Sequence, residues 1–433
     1  MRGRGGRLLL LGVPTFGMAL AVTAVSTYLP VVARGQAAST ALIGGILAIE
    51  GLMALWLPIV AGSWSDRLRT PLGGRLPFVL AGTPAMFAAL CLVGLVHSLV
   101  ALAGLVVLFF VGYFVAYEPY RALYPDLVES ELAGRSQSVQ AGWRGAGTGT
   151  ALISGAALLG IAEFLPFVLY AVLLAISVGL FVVLLLRGGY RGREAGREVG
   201  AGGFAESLAE VRRLLRERPA LRCYLLANGL WETSLGATKT FVILYVTAGL
   251  GYSLGATSLI VGGVALVVLA GAVFSGTLAD RHGRLRVSEV SVWVFGGALL
   301  VPGLTTLRIP LIVATPFVAL GGGTLMSLPY SLLMPLMPED EHGAFTGLYG
   351  LSRGLGVMAG PLAAGLAIEL LGPLFGSTHG YAATWWVAGG AALLSLIPLR
   401  RLRALREDHE GRARRRSAAS TERRPGGSRR AWR

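Results

Sequence analysis

The chain has 433 residues, of which 54% are hydrophobic and 14% charged, and its mean hydropathy is +0.66. Soluble domains carry roughly 25% charged residues, so this composition excludes an ordinary water-soluble globular protein. The formal net charge of +15 would suit a nucleic-acid binder. The arginine excess, however, sits in short loops between apolar runs and in the segment from Arg400 to Arg433, so membrane topology explains it and no nucleic-acid partner is implied.

In chain order, apolar runs predict membrane-spanning helices at 8–33, 41–63, 76–97, 99–119, 139–160, 164–186, 223–248, 256–279, 287–306, 310–335, 344–371 and 379–399. Each run approaches or exceeds the roughly 20 residues that a spanning helix needs. They are too long for barrel strands of roughly ten residues, and in hydrocarbon the backbone must satisfy its own hydrogen bonds. The first run follows Met1-Arg2-Gly3-Arg4-Gly5-Gly6-Arg7 and exceeds a signal-peptide core in length, so it reads as an uncleaved first helix. The predicted class is an all-α polytopic membrane protein with twelve transmembrane helices in two pseudo-symmetric six-helix bundles. Its parts are an N-terminal bundle over 1–186, a cytoplasmic linker over 187–222, a C-terminal bundle over 223–400 and a basic disordered tail over 401–433.

Within the linker, Phe204, Leu208, Val211 and Leu215 recur at helical spacing among Glu and Arg, predicting a short amphipathic helix along the membrane surface. The arginine-rich tail is expected to be solvated or to rest on anionic lipid headgroups. Lys and Arg accumulate in cytoplasmic loops. Arg2, Arg4 and Arg7 precede span one; Arg67, Arg69 and Arg75 lie between spans two and three; Arg135 lies between four and five; and Arg281, Arg284 and Arg286 lie between eight and nine. The pattern places both termini in the cytoplasm and the protein in the plasma membrane. Cys91 and Cys223 have no partner spacing for a disulfide framework or metal site and read as packing residues.

Three features recur in the same order in both halves. Gly62-Ser63-Trp64-Ser65-Asp66-Arg67 returns as Gly276-Thr277-Leu278-Ala279-Asp280-Arg281. Pro119-Tyr120-Arg121-Ala122-Leu123-Tyr124-Pro125 is echoed by Pro329-Tyr330-Ser331-Leu332-Leu333-Met334-Pro335, and Arg144-Gly145-Ala146-Gly147 by Arg353-Gly354-Leu355-Gly356. Duplication of a multi-span bundle is a mark of secondary transporters, with the solute cavity between the repeats. The Asp-Arg loops suggest a gate at the cytoplasmic end: a carboxylate on one helix holds the guanidinium or helix end of its neighbour, and opening breaks the contact. The gate candidates are Asp66, Arg67 and Arg75, with Asp280, Arg281 and Arg284.

Over essentially its whole length the chain resembles the major facilitator superfamily. Within it, Asp66-Arg67 followed by Gly73-Gly74-Arg75-Leu76-Pro77-Phe78, with Arg121-Ala122-Leu123-Tyr124-Pro125-Asp126-Leu127, is similar to the glycoside-pentoside-hexuronide cation symporters and the related sucrose transporters. The resemblance implies alternating access. It also implies a sugar contact for Arg144 and a place at the coupling-cation site for Arg353, where that branch has a lysine. Two departures count against a sodium site: Leu57 stands where the branch has an acid before the span-two proline, and the span-four acid is displaced to Glu118.

Charged side chains inside hydrocarbon cost about 2.5–3.5 kcal/mol each at a helix centre on the insertion scale and so need a reason. Glu50, Glu118, Arg144, Glu232, Lys239 and Arg353 are the candidates, and Lys239 is the sole lysine of the chain. Three acids and three bases keep such a cluster near neutrality. Glu232 and Lys239 share a helix face but stand about 10.5 Å apart along the axis, so their partners are expected on other helices. Glu50 is the first choice for a proton-binding carboxylate, because burial favours its neutral form and a nearby base its charged form. A static interhelical ion pair is the other role open to each of these residues. Tyr120, Trp143 and Trp231 are candidates to stack on a sugar ring, although such residues equally serve helix contacts.

These readings converge on proton-coupled symport of a sugar, glycoside or similar small polar solute. The alternatives are an exporter of amphiphilic or drug-like compounds, or a transporter-derived sensor. The sequence carries no nucleophile motif, metal-ligand cluster or phosphate loop, so no enzyme, cofactor or metal is expected.

Overall fold

A computed structural model describes residues 4–128, 133–187, 212–337 and 342–407. The described residues are helical almost throughout. Seven helices precede the linker: α1 (Arg4–Gly35), α2 (Thr40–Ala54), α3 (Leu57–Arg67), α4 (Leu76–Val93), α5 (Leu99–Leu127), α6 (Ala133–Ile161) and α7 (Leu165–Arg187). The second half holds α8 (Pro219–Leu244), α9 (Leu254–His282), α10 (Arg284–Leu304), α11 (Arg308–Ser327), the short α12 (Pro329–Leu333), α13 (His342–Leu371) and α14 (Ala383–Leu394). Beyond a turn at Ser395, residues 396–407 are helical again. The predicted linker helix falls outside the described residues except for 212–217, which are helical, and the tail beyond 407 falls outside them as well.

The second span is two helices. Pro58 in the first turn of α3 has no amide proton to donate, and its ring crowds the carbonyl four residues earlier. The helix therefore breaks at Leu55 and Trp56, where the sequence pattern ran unbroken from 41 to 63. Nine described helical segments are long and apolar enough to cross a membrane by length and composition alone. The spans that fall short are α6, α8 and α14. Two of them carry interior charges, Arg144 on α6 and Glu232 with Lys239 on α8, which lowers hydropathy while leaving the helix intact.

The duplication is visible in atomic detail. Ser39 caps α2 by accepting from the Leu42 amide at 3.2 Å, and Ser253, 214 residues later, caps α9 by accepting from Ala256 at 3.2 Å. Such caps each contribute about 1 kcal/mol of helix stability. Arg75 donates to the Ala122 carbonyl, and Arg284 donates to the Ser331 carbonyl at 2.9 Å, an offset of 209 residues at both donor and acceptor. Gly73 and Gly283 in the matching loops both have positive φ, at 78° and 87°, a conformation in which a side chain would be strained.

Within the first half, α1 packs on α6 and α7, and α4 on α5; within the second, α8 packs on α13 and α14, and α9 on α11. The halves meet along α2 with α13, α6 with α9, and α1 with α8. Glycines bring the first pair close: a Cβ at Gly44 would overlap the Pro361 carbonyl, and one at Gly51 would overlap the Met358 amide and the Gly354 carbonyl. Small residues permit the same close approach in other membrane bundles.

Hydrogen bonds join the halves at one end. Thr40 donates to the Gly365 carbonyl at 3.0 Å, the Ala41 amide donates to Glu369 at 3.1 Å, and the Ala157 amide donates to Ser258 at 2.7 Å. All three lie at the end away from the chain termini. Close packing continues inward to Leu55 against Gly354 and Leu269 against Gly145. The structure is closed at the distal end, where these bonds join the halves.

Candidate functional site

The interior charges gather between the halves. Lys239 on α8 donates to Glu50 on α2 at 3.3 Å, and Ser26 on α1 donates to the same carboxylate oxygen at 2.9 Å. Glu50 is buried, and it stands ten residues, roughly 15 Å, from the distal start of α2. The pair is therefore a bond between the halves set inward from the hydrogen bonds of the distal end. Arg353 on α13 pairs with Glu232 on α8 at 3.5 Å, within the second half. Both partners of the α8 charges thus come from other helices, as their separation required. Glu232 remains within electrostatic reach of Lys239 and Glu50, so the two pairs form one network.

Nearer the termini, α5 contributes Tyr113, Tyr117 and Arg121, spaced four residues apart on one helix face. The Tyr113 and Tyr117 rings stack with centroids 4.9 Å apart. The Arg121 guanidinium lies 5.6 Å from the Tyr117 centroid and pairs with Glu118 at 3.5 Å. Arg144 on α6 donates to the Tyr117 hydroxyl, and its guanidinium lies 5.8 Å from the same ring. Arg121 and Arg144 face Tyr349 and Arg353 of the opposite half within electrostatic reach. Four bases and three acids therefore occupy this region. Arg121 is the base absent from the sequence-derived set, and with Tyr113 and Tyr349 it completes the site; the four-residue spacing of Tyr113, Tyr117 and Arg121 was the available signal.

The three aromatic candidates stand elsewhere. Tyr120 is fully buried inside the first half, donating to the Leu11 carbonyl at 2.6 Å and contacting Thr15 at 3.0 Å. Trp231 is 1% exposed, and its indole donates to Ser395 at 2.7 Å, which ties α8 to the turn after α14. Trp143 donates to the Leu9 carbonyl at 3.0 Å and packs edge-on to Phe16 of α1. All three make helix contacts; Tyr120 and Trp231 are fully buried, which leaves their ring faces covered, whereas Trp143 is partly exposed. Trp231→Phe is accordingly expected to cost about 1 kcal/mol of stability, seen as a lowered melting temperature, with solute affinity unchanged.

At the terminus end, Arg75 pairs with Asp66 at 3.1 Å while holding the Ala122 carbonyl, so this contact binds α3, α4 and α5 of a single half. Asp280 and Arg284 do not form an ion pair; with Ser275, Ser327 and Ser331 they line a cleft of about 170 Å³ in the other half. Arg67 and Arg281 are exposed. The contacts that Asp66 and Arg75 make with each other and with Ala122, and the bond from Arg284 to Ser331, lie within single halves. Cys91 and Cys223 are unpaired, and no cluster of metal-ligating side chains occurs among the described residues.

Comparison with known proteins adds the family context. The Major Facilitator Superfamily model matches residues 233–433. Multidrug resistance protein 3 of Bacillus subtilis is 29% identical over 99 residues, which cover 22% of this chain and 19% of that protein. Riboflavin transporter RibZ of Clostridioides difficile is 29% identical over 107 residues, covering 25% of this chain and 24% of that one. The chain thus spans about a fifth to a quarter of the length of these relatives. The solved nucleoside transporter NupG superposes with a TM-score of 0.71 at 13% identity, covering 91% of this chain and 98% of that one. A bacterial homolog of the human lysosomal transporter Spinster, in an inward-facing and occupied conformation, gives a TM-score of 0.75 at 14% identity, covering 93% and 97%. Twelve spans in two related bundles, with full-length superposition on these transporters, establish that the chain has the major facilitator fold.

Proposed function

We propose that the chain is a secondary active transporter of the major facilitator superfamily, working by alternating access at a site between its two bundles. The carrying observation is the Glu50–Lys239 pair, a charged bond between the halves on the inner side of the hydrogen bonds that close the distal end. Opening the distal end must break that bond, and neutralising Glu50 by a proton weakens it, so proton binding and distal opening are linked. Lys239, Ser26 and Glu232 are the charged and polar groups that set this switch. With arginine-rich loops on the terminus side, that side is cytoplasmic, both termini lie in the cytoplasm of a plasma-membrane protein, and this conformation faces inward.

The leading cargo is a sugar, glycoside or similar small polar solute moved with H+, following the resemblance to the glycoside-pentoside-hexuronide branch. Purified protein in proteoliposomes, offered mono- and disaccharides, glycosides and uronates under a pH gradient, tests this reading. One solute class is expected to acidify the lumen as it enters, without a sodium requirement. The match to a multidrug resistance protein favours export of amphiphilic compounds as the second reading. Movement of hydrophobic cations with no response to any sugar would select it.

A further inference from the structure

The charge ledger between the halves leaves one group over. Glu50, Glu118 and Glu232 each have a base, namely Lys239, Arg121 and Arg353. Arg144 has no carboxylate among the described residues; its guanidinium meets only the hydroxyl and ring of Tyr117. A guanidinium presents five N–H donors in a planar fork that matches a carboxylate bidentately. One donor is used here, and Arg144 is exposed. Arg121, which lies over the same Tyr117 ring, and Arg353, in the opposite half, are each matched by their own carboxylate, so the surplus positive charge is that of Arg144. An unpaired cation within a membrane protein is costly unless water or an anion meets it.

We propose that Arg144 is an anion-docking residue and that the transported solute bears a carboxylate, which takes the open fork of Arg144 beside Tyr117. This deepens the transport reading and rests on it for the word transported, whereas the binding claim stands by itself. Tyr117 orients the guanidinium through the hydroxyl contact, and the tyrosine ladder behind it supplies the apolar wall. Entry of an anion brings the base-to-acid balance of the site to neutrality, which lowers the cost of sealing the site from water as the terminus end closes. The feature is specific to the first half: its counterpart by duplication, Arg353, is already neutralised by Glu232.

The test uses matched probes that differ in charge and little else: glucuronate with glucose, and benzoate with benzyl alcohol. Binding to the purified full chain is read by calorimetry, and flux by counterflow in proteoliposomes. The carboxylate member of at least one pair is expected to bind at least about tenfold more tightly than its neutral mate. That preference is expected to vanish in Arg144→Gln and to survive in part in Arg144→Lys, with melting temperatures showing all variants folded. Carboxylate binding that depends on Arg144 without any flux would keep the anion site and overturn the transport reading. Equal binding and flux of the neutral members, or a carboxylate preference unchanged in Arg144→Gln, would overturn the anion site and leave transport standing. Binding of neither member of either pair would also count against it.

Discussion

Replacing Glu50 by Gln is expected to reduce accumulation of solute to an inside-to-outside ratio of about 1, while downhill exchange continues. An uncoupled carrier equilibrates its solute and cannot concentrate it, because no second gradient enters the cycle. The same substitution leaves Lys239 in the interior without its carboxylate, and Ser26 donates to an amide oxygen in place of a charge. The variant should therefore be less stable. Lys239→Gln alone should be destabilising for the mirror reason, and the double variant should recover part of the loss. A coupling energy of about 0.5–3 kcal/mol is the range for such contacting pairs. The lower half of that range is expected, because the Lys239 side chain remains 37% exposed and solvent screens the pair. Melting curves of the four proteins give the cycle. Recovery of stability without recovery of accumulation would separate the structural role of the pair from its coupling role. Full accumulation by Glu50→Gln would remove Glu50 from the coupling path and leave Glu232 as the acid to examine.

Gly44→Leu is expected to hold the distal end open. Even a Cβ at this position would overlap the Pro361 carbonyl across the interface of α2 and α13, and the backbone there cannot step aside while Thr40 holds Gly365. Overpacking at a tight contact costs about 1–3 kcal/mol. Since 1.4 kcal/mol is a tenfold change in an equilibrium, the closed population falls by roughly 5–150-fold. Ala48→Cys, a buried position one turn further along α2, reports the change in a background without Cys91 and Cys223. Its labelling by a membrane-impermeant maleimide should rise by roughly fivefold or more in Gly44→Leu, and net transport should fall. Unchanged labelling in a folded variant would show that this contact does not control the distal end.

Much of this architecture was readable from the chain. Hydropathy located the spans because a membrane helix must be apolar along its length, and α6 and α8 were found despite their charges because the apolar runs around Arg144, Glu232 and Lys239 are long. The repeat was legible from the Asp66 and Asp280 loops, and the paired Ser39 and Ser253 caps show the same offset in the backbone. The break at Leu55 and Trp56 was not, although Pro58 stood in view, because hydropathy is blind to a backbone that stays apolar while it bends. The interior charges stood out because hydrocarbon makes each one expensive. Their pairing depends on which helices meet, and Glu50 reaches Lys239 across 189 residues of chain. Tyr120 and Trp231 lie buried in helix contacts that the sequence does not show, because aromatic side chains with polar tips serve helix packing as readily as ligand binding.

Alternating access is the central claim, and paired spin-label distances at the two ends test it most directly. Glu163 with Leu374 reports the distal end and Arg69 with His282 the terminus end, all four being exposed positions on opposite halves. Across pH and added solute, anticorrelated distributions are expected: the distal pair lengthens only as the terminus pair shortens, and Glu50→Gln shifts the balance toward the distally open state. A distal distance that stays short under every condition, or two ends that lengthen together, would contradict it.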